Sequence, residues 1–155
     1  MKQRPIATMA CQTRCADPQR SAELHNDMLR MLRWAEGRFS DCAFAEHHVS
    51  GDGFLSTPLQ ASAMAVGSSD KLKLNNCAIL TPLYNPLFLA EQIAFLDLTS
   101  GGRVRTVLAL GYREAEYQVA GRDWSSRGAA LDECIAQLLA LLRGETIEFN
   151  GTECY

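Results

Sequence analysis

Apolar positions along this chain switch between two periods. Short apolar runs at Pro5–Thr13, Asp41–Glu46, Leu72–Leu80 and Val104–Leu110 read as strands. Between them apolar residues recur at helical spacing, and each such stretch has readable ends. Asp17-Pro18 predicts a helix start, Leu24, Met28, Met31, Leu32 and Ala35 share one face, and Gly37 closes it. Thr57-Pro58-Leu59-Gln60 predicts a capping box with proline at the first helical position. It opens a helix of small residues (Ala61, Ser62, Ala63, Ala65) that ends at Gly67. Asn85-Pro86 caps a third helix bearing Leu89, Ile93 and Leu96, stopped by Gly101-Gly102. Leu131, Cys134, Ile135, Leu138 and Leu142 form the stripe of a fourth, ended by Gly144. An Asn150-Gly151 turn follows Thr146–Phe149.

Strands alternating with helices imply right-handed βαβ crossovers, a parallel sheet and an α/β fold. A closed (β/α)8 TIM-type barrel needs eight such units in about 250 residues. The chain has 155 residues and supplies four units, which predicts half of a barrel: a single incomplete domain over residues 1–155. Glu46-His47-His48, Thr81-Pro82-Leu83-Tyr84 and Gly111-Tyr112-Arg113 all follow strands, at the sheet end that carries chemistry in such folds. Two imidazoles and a carboxylate are costly in a core and useful at a strand tip, so the chain reads as an enzyme.

Composition narrows the picture. Apolar residues make up 47% and charged ones 21%, ordinary globular usage. A net charge of -3 with mixed signs offers no basic stripe, which disfavours nucleic acid as a partner. No run approaches the length of a membrane-spanning helix, and the N-terminal residues lack a secretory h-region. The six cysteines have no C-x-x-C spacing and read as reduced thiols acting as small hydrophobes, so the cytoplasm is the expected location. A metal site from Glu46, His47, His48 and Asp52 is disfavoured, because adjacent histidines on a strand diverge and His25 is the only other histidine.

Five motifs in order give the chain a family resemblance. They are Phe44-Ala45-Glu46-His47-His48; Thr81-Pro82-Leu83-Tyr84-Asn85-Pro86; Leu89-Ala90-Glu91 leading into Leu96-Asp97-Leu98-Thr99-Ser100-Gly101-Gly102-Arg103; Gly111-Tyr112 with Glu116-Tyr117; and Gly121-Arg122-Asp123 followed by Arg127. With these, the chain resembles the N-terminal half of the bacterial luciferase-like, flavin-dependent monooxygenases. The resemblance implies a barrel binding reduced flavin (FMN, or the deazaflavin F420 in relatives that transfer hydride) at the C-terminal ends of its strands. It further implies oxidation of a small organic substrate with O2, and a flavin reductase as a possible supplier.

The same resemblance assigns residues. His47 matches a histidine beside the flavin, an acid/base by chemistry, with Glu46 and His48 orienting it or shaping the pocket. Cys77-Ala78 match the family's non-proline cis peptide behind the flavin ring. Arg127 matches a phosphate-binding arginine, and Leu110 and Gly111 would line the phosphate or ribityl path with backbone. Val107 and Ala109 depart from the family, which commonly has glycines on this strand. Dimerisation is expected through the second helix (Ala61, Ala65) and the third (Phe88, Gln92, Phe95). The rival readings are a flavin-binding or assembly module without turnover and a metal-dependent hydrolase using Glu46 and His47.

Overall fold

The computed structural model describes residues 8–11 and 13–155. Strands β1 (Thr8–Cys11), β2 (Asp41–Phe44), β3 (Lys73–Leu80) and β4 (Val104–Ala109) form one sheet in the order β1-β2-β3-β4. β1 pairs parallel with β2, and β2 parallel with β3. The helices are α1 (Pro18–Ala35), α2 (Pro58–Val66), α3 (Pro86–Ser100), α4 (Glu114–Val119) and α5 (Arg127–Leu142), with a 3-10 turn at Thr81–Leu83. Each of the four strands is thus followed by helix, as the alternating periods predict. The expected first strand is shorter than its apolar run: Thr13 lies beyond β1, and Pro5, Ile6, Ala7 and Gln12 fall outside the described residues.

The chain divides into two compact units. One carries β1, β2, β3 up to Ile79, α1, α2 and Leu96–Val107; the other comprises Leu80–Phe95 and Leu108–Tyr155. In the first, the parallel register aligns Met9 with Cys42 and Cys11 with Phe44, and then Cys42 with Leu74 and Phe44 with Asn76. Side chains at aligned positions share a face, so these residues form one buried side. Met28, Leu32 and Ala35 of α1 and Ala61 and Ala65 of α2 join them in one core. Phe44, Leu32 and Leu74 are fully buried, each worth about 1.5–3 kcal/mol relative to exposure. On the opposite side Thr8, Ala10, Lys73 and Cys77 are exposed.

Helix ends show which sequence signals act. Asp17 Oδ1 accepts from the N–H groups of Gln19 at 2.8 Å and Arg20 at 3.3 Å, and Pro18 takes the first helical position. Asn85 Oδ1 does the same for Leu87 at 2.9 Å and Phe88 at 3.4 Å. The capping box expected at Thr57 does not form: its side chain makes no cap bond, and α2 begins on Pro58 alone. A proline at this position has no N–H to satisfy and a φ already suited to the helix, so the hydroxyl is dispensable.

In the second unit, α4 was not expected. Its six residues are too short to display a helical stripe, although Glu116 and Tyr117 are buried there. The α5 stripe is real but incompletely covered, with Leu138 buried and Leu142 43% exposed. After α5 the chain forms an antiparallel hairpin of β5 (Ile147–Phe149) and β6 (Thr152–Cys154). Asn150 and Gly151 both take positive φ, 50° and 80°, as a two-residue hairpin turn of the primed type requires.

The proposed use of Ala61 and Ala65 as a subunit surface is corrected by their burial, 3% and 0% exposed in the core of this chain. The alanines are small because α2 lies close on the sheet. On α3, by contrast, Phe88 and Phe95 are 58% and 65% exposed.

Two outcomes follow from this packing. Ala61→Arg places a charge in the core and is expected to abolish cooperative thermal unfolding; a native melting curve with altered mass would restore the interface reading. All six cysteines are free, and burial pushes the thiols of Cys11 and Cys42 up to about 11 and about 12. At pH 8 both therefore stay protonated and inert, while exposed Cys77 is expected to react with a disulfide reagent. Fast labelling of Cys42 in the native protein would mean that β2 is not seated in the sheet.

Candidate functional site

β2 ends at Phe44, and the chain leaves the sheet through Ala45 and Glu46-His47-His48. The carboxylate of Glu46 is only 2% exposed as a residue and meets His48 Nε2 at 2.7 Å. The backbone N–H of His47 donates to the Leu55 carbonyl at 3.1 Å. Its ring stands edge-to-face with Phe54, centroids 4.8 Å apart at 72°. Glu46, expected to orient His47 or shape the pocket, pairs with His48, and Phe54 packs against the His47 ring.

The loop that supplies Phe54 folds back over the segment after β1. Arg14 and Phe54 form an antiparallel bridge, and the Arg14 guanidinium lies 4.6 Å from the Phe54 ring centroid. Gly53 makes the approach possible: it has φ +66°, and a Cβ there would fall 2.1 Å from the Cys15 carbonyl oxygen. Asp52 accepts from the Ser50 hydroxyl, from the Phe54 N–H at 3.3 Å and from Arg14 at 3.4 Å. The Ser50 bond chiefly, with the other two, holds the Asp52 carboxyl below its usual range. Val49 takes φ +52°, a costly conformation for a β-branched residue, directly after His48.

Cys77 and Ala78 lie on β3, and the peptide between them is cis. Because Phe44 is in register with Asn76, Cys77 is level with the first residue beyond β2, where the Glu46-His47-His48 segment departs. Asn75 Nδ2 donates to Asp41 Oδ1 at 2.9 Å, tying β3 to β2 near the start of β2.

The second unit holds the other expected residues. Tyr117, fully buried, donates its hydroxyl proton to the Leu110 carbonyl. Gly111 has φ +79°, and a Cβ there would sit 3.3 Å from Leu80 Cδ2 and 3.7 Å from the Tyr117 ring. Tyr117 stands edge-to-face with Trp124 at 5.2 Å, and the Arg127 guanidinium stacks 3.8 Å from the Trp124 centroid. Leu110, Gly111 and Arg127 are thereby linked through Tyr117 and Trp124. Arg127 Nη1 donates to the Trp124 carbonyl at 2.8 Å, and its Nε is buried without a hydrogen-bond partner among the described residues. Asp123, before α5, is drawn down to about 2 by the hydroxyls of Ser126 and Ser125, with their N–H groups adding to the effect.

Sequence reasoning missed Phe54, Arg14 and Trp124. Only the Gly51-Asp52-Gly53 turn hinted that the loop reverses; nothing in the spacing ties Arg14 to Phe54. Among the described residues, no three His, Cys, Asp or Glu side chains gather where a metal ion could be held, and no helix is long and apolar enough to cross a membrane.

Comparison with known proteins matches residues 8–155 to the family of luciferase-like monooxygenases. The alkanal monooxygenase alpha chain of Photorhabdus luminescens is 33% identical over 117 residues, covering 70% of this chain and 32% of that protein. The oxygenase component of the flavin-dependent trigonelline monooxygenase of Acinetobacter baylyi is 28% identical over 141 residues, 89% of this chain and 39% of that one. The chain thus spans between about a third and two fifths of the length of these relatives. Among solved structures, monooxygenase RslO1 from Streptomyces bottropensis superposes with a TM-score of 0.84 at 22% identity, over 96% of this chain and 46% of its own. The oxygenating constituent of 3,6-diketocamphane monooxygenase from Pseudomonas putida, solved with FMN, gives 0.77 at 17% identity over 86% and 38%. The four βα units share the fold of these monooxygenases over less than half of their length, and the chain belongs to the luciferase-like monooxygenase family.

Proposed function

We propose that this chain forms the flavin side of a monooxygenase that uses reduced FMN and O2 to oxidise a small organic substrate. The observation that carries this reading is the placement of Glu46-His47-His48 just beyond the C-terminal tip of β2, next to the level of Cys77, in a chain of this family. The residues present fit an anionic flavin in two respects. Beside the β2 tip the side of the sheet opposite the core bears the small side chains of Ala10, Ala43 and Cys77, with Asn75 beside Ala43, and these leave room for a flat ring. Arg127 keeps an orphaned donor at Nε, the kind of group a phosphate oxygen would satisfy.

In this reading Cys77 and Ala78 flank the ring, Leu110 and Gly111 border the ribityl and phosphate path with backbone, and Arg127 binds the phosphate. When bound, reduced flavin supplies the electrons that activate oxygen. His47 holds or accepts a proton at its imidazole next to the reacting atoms, and the Glu46–His48 pair fixes the loop that carries it. FMN is favoured over F420 because the diketocamphane enzyme was solved with FMN and the trigonelline enzyme is named as flavin-dependent. That relative is also named as an oxygenase component, which supports a separate flavin reductase as partner. Association with a second chain would use the exposed Phe88 and Phe95 of α3.

The test is a pair of substitutions with an alkanal and trigonelline, taken from the names of the two relatives, as probe substrates. His47→Ala is expected to leave FMN affinity nearly unchanged and to lower the oxidation rate ~10²–10⁴-fold. Arg127→Ala is expected to weaken FMN binding while the rate at saturating flavin stays closer to normal. Flavin fluorescence titration and product formation read the two separately. Equal losses in both variants, tracking lost stability, would assign both residues to structure alone.

A further inference from the structure

Arg14 follows β1 and His47 follows β2, yet one ring joins them. Phe54, 8% exposed, has the Arg14 guanidinium 4.6 Å from its centroid and the His47 ring at 4.8 Å and 72°. The backbone is pinned at the same places, through the Arg14–Phe54 bridge and the His47 N–H to Leu55 carbonyl bond of 3.1 Å. Asp52 accepts from Arg14 at 3.4 Å and from the Phe54 N–H at 3.3 Å, so one carboxylate holds both the cation and the residue it stacks on.

We propose that Phe54, clamped by Arg14, is a positioning residue of His47. The inference rests on the reading of His47 as the acid/base of the site. An imidazole side chain chooses among several rotamers. An edge-to-face ring contact biases that choice roughly two- to tenfold, and it does so only while the phenyl ring is itself fixed. The planar guanidinium of Arg14 fixes the ring by stacking, which a lysine ammonium does not reproduce. Asp52 counters the cation's charge and bonds to it beside the ring. Gly53 permits the clasp, because any side chain there meets the Cys15 carbonyl. Phe54 and Arg14 touch neither substrate nor flavin in this reading; they act through His47 alone.

The experiment is carbon-edited NMR of the histidine rings in the purified protein, comparing wild type with Phe54→Leu, Phe54→Tyr, Arg14→Met and Arg14→Lys. His47 ring protons are expected to carry a ring-current shift and cross-peaks to Phe54. Both should vanish in Phe54→Leu and persist in Phe54→Tyr. Arg14→Met and Arg14→Lys should both weaken them. Arg14→Met alters a side chain 55% exposed, so it reads the clasp even where Phe54→Leu fails to fold. Unchanged His47 signals in Arg14→Met, or in a folded Phe54→Leu, overturn the proposal. In FMN-dependent oxidation, Phe54→Leu should lower kcat two- to tenfold with KM and flavin affinity unchanged, and Phe54→Tyr should recover it. A His47→Ala variant with the wild-type rate would sink the acid/base reading, and the NMR result would still decide whether Phe54 positions the ring.

Discussion

The alternation of side chains on β1, β2 and β3 is the constraint on which the rest depends. Met9, Cys11, Cys42, Phe44 and Leu74 occupy one side of the sheet, beneath α1 and α2, because the parallel register aligns them. A slip of one residue in any pairing would turn that strand's apolar set toward the open side. With each large side chain worth about 1.5–3 kcal/mol and a domain's net stability only ~5–15 kcal/mol, such a slip is not tolerated. The register therefore fixes where β2 stops, and so where Glu46, His47 and His48 emerge.

What happens beyond the strand tip is set by loop contacts. The 50–55 segment closes on the residues after β1 through backbone, ring and charge together, at the one place where glycine lets two backbones touch. Val49, held at positive φ just before this segment, is the strained residue of the loop, and strain of this kind persists only where the surroundings over-determine it. In the second unit an analogous stack of Tyr117, Trp124 and Arg127 ties the start of α5 to the backbone after β4. Both units thus hold a residue of the proposed site by aromatic packing.

Much of the fold was legible because strands, helices and their caps are local. Asp17-Pro18 and Asn85-Pro86 start helices as their chemistry predicts, and Asn150-Gly151 turns a hairpin. Thr57 misled because proline alone suffices there, and α4 was hidden because six residues show no period. The site was legible in part for a different reason. Motif order pointed to His47 and Arg127, whereas their supports depend on contacts between distant segments: Arg14 with Phe54, and Tyr117 with Trp124. The alanines of α2 show the limit of composition. Small residues signal close approach, and only the structure shows that the approach is to the chain's own sheet.

The central claim is that the β2 tip presents His47 to a bound flavin. It is tested most directly by titrating the protein with FMN while following its three histidine rings by NMR. The account predicts a saturable shift of the His47 ring signals, with His25 on α1 unmoved and His48 moved less than His47. Saturable FMN binding that leaves His47 unmoved, or no saturable binding at all, would contradict it.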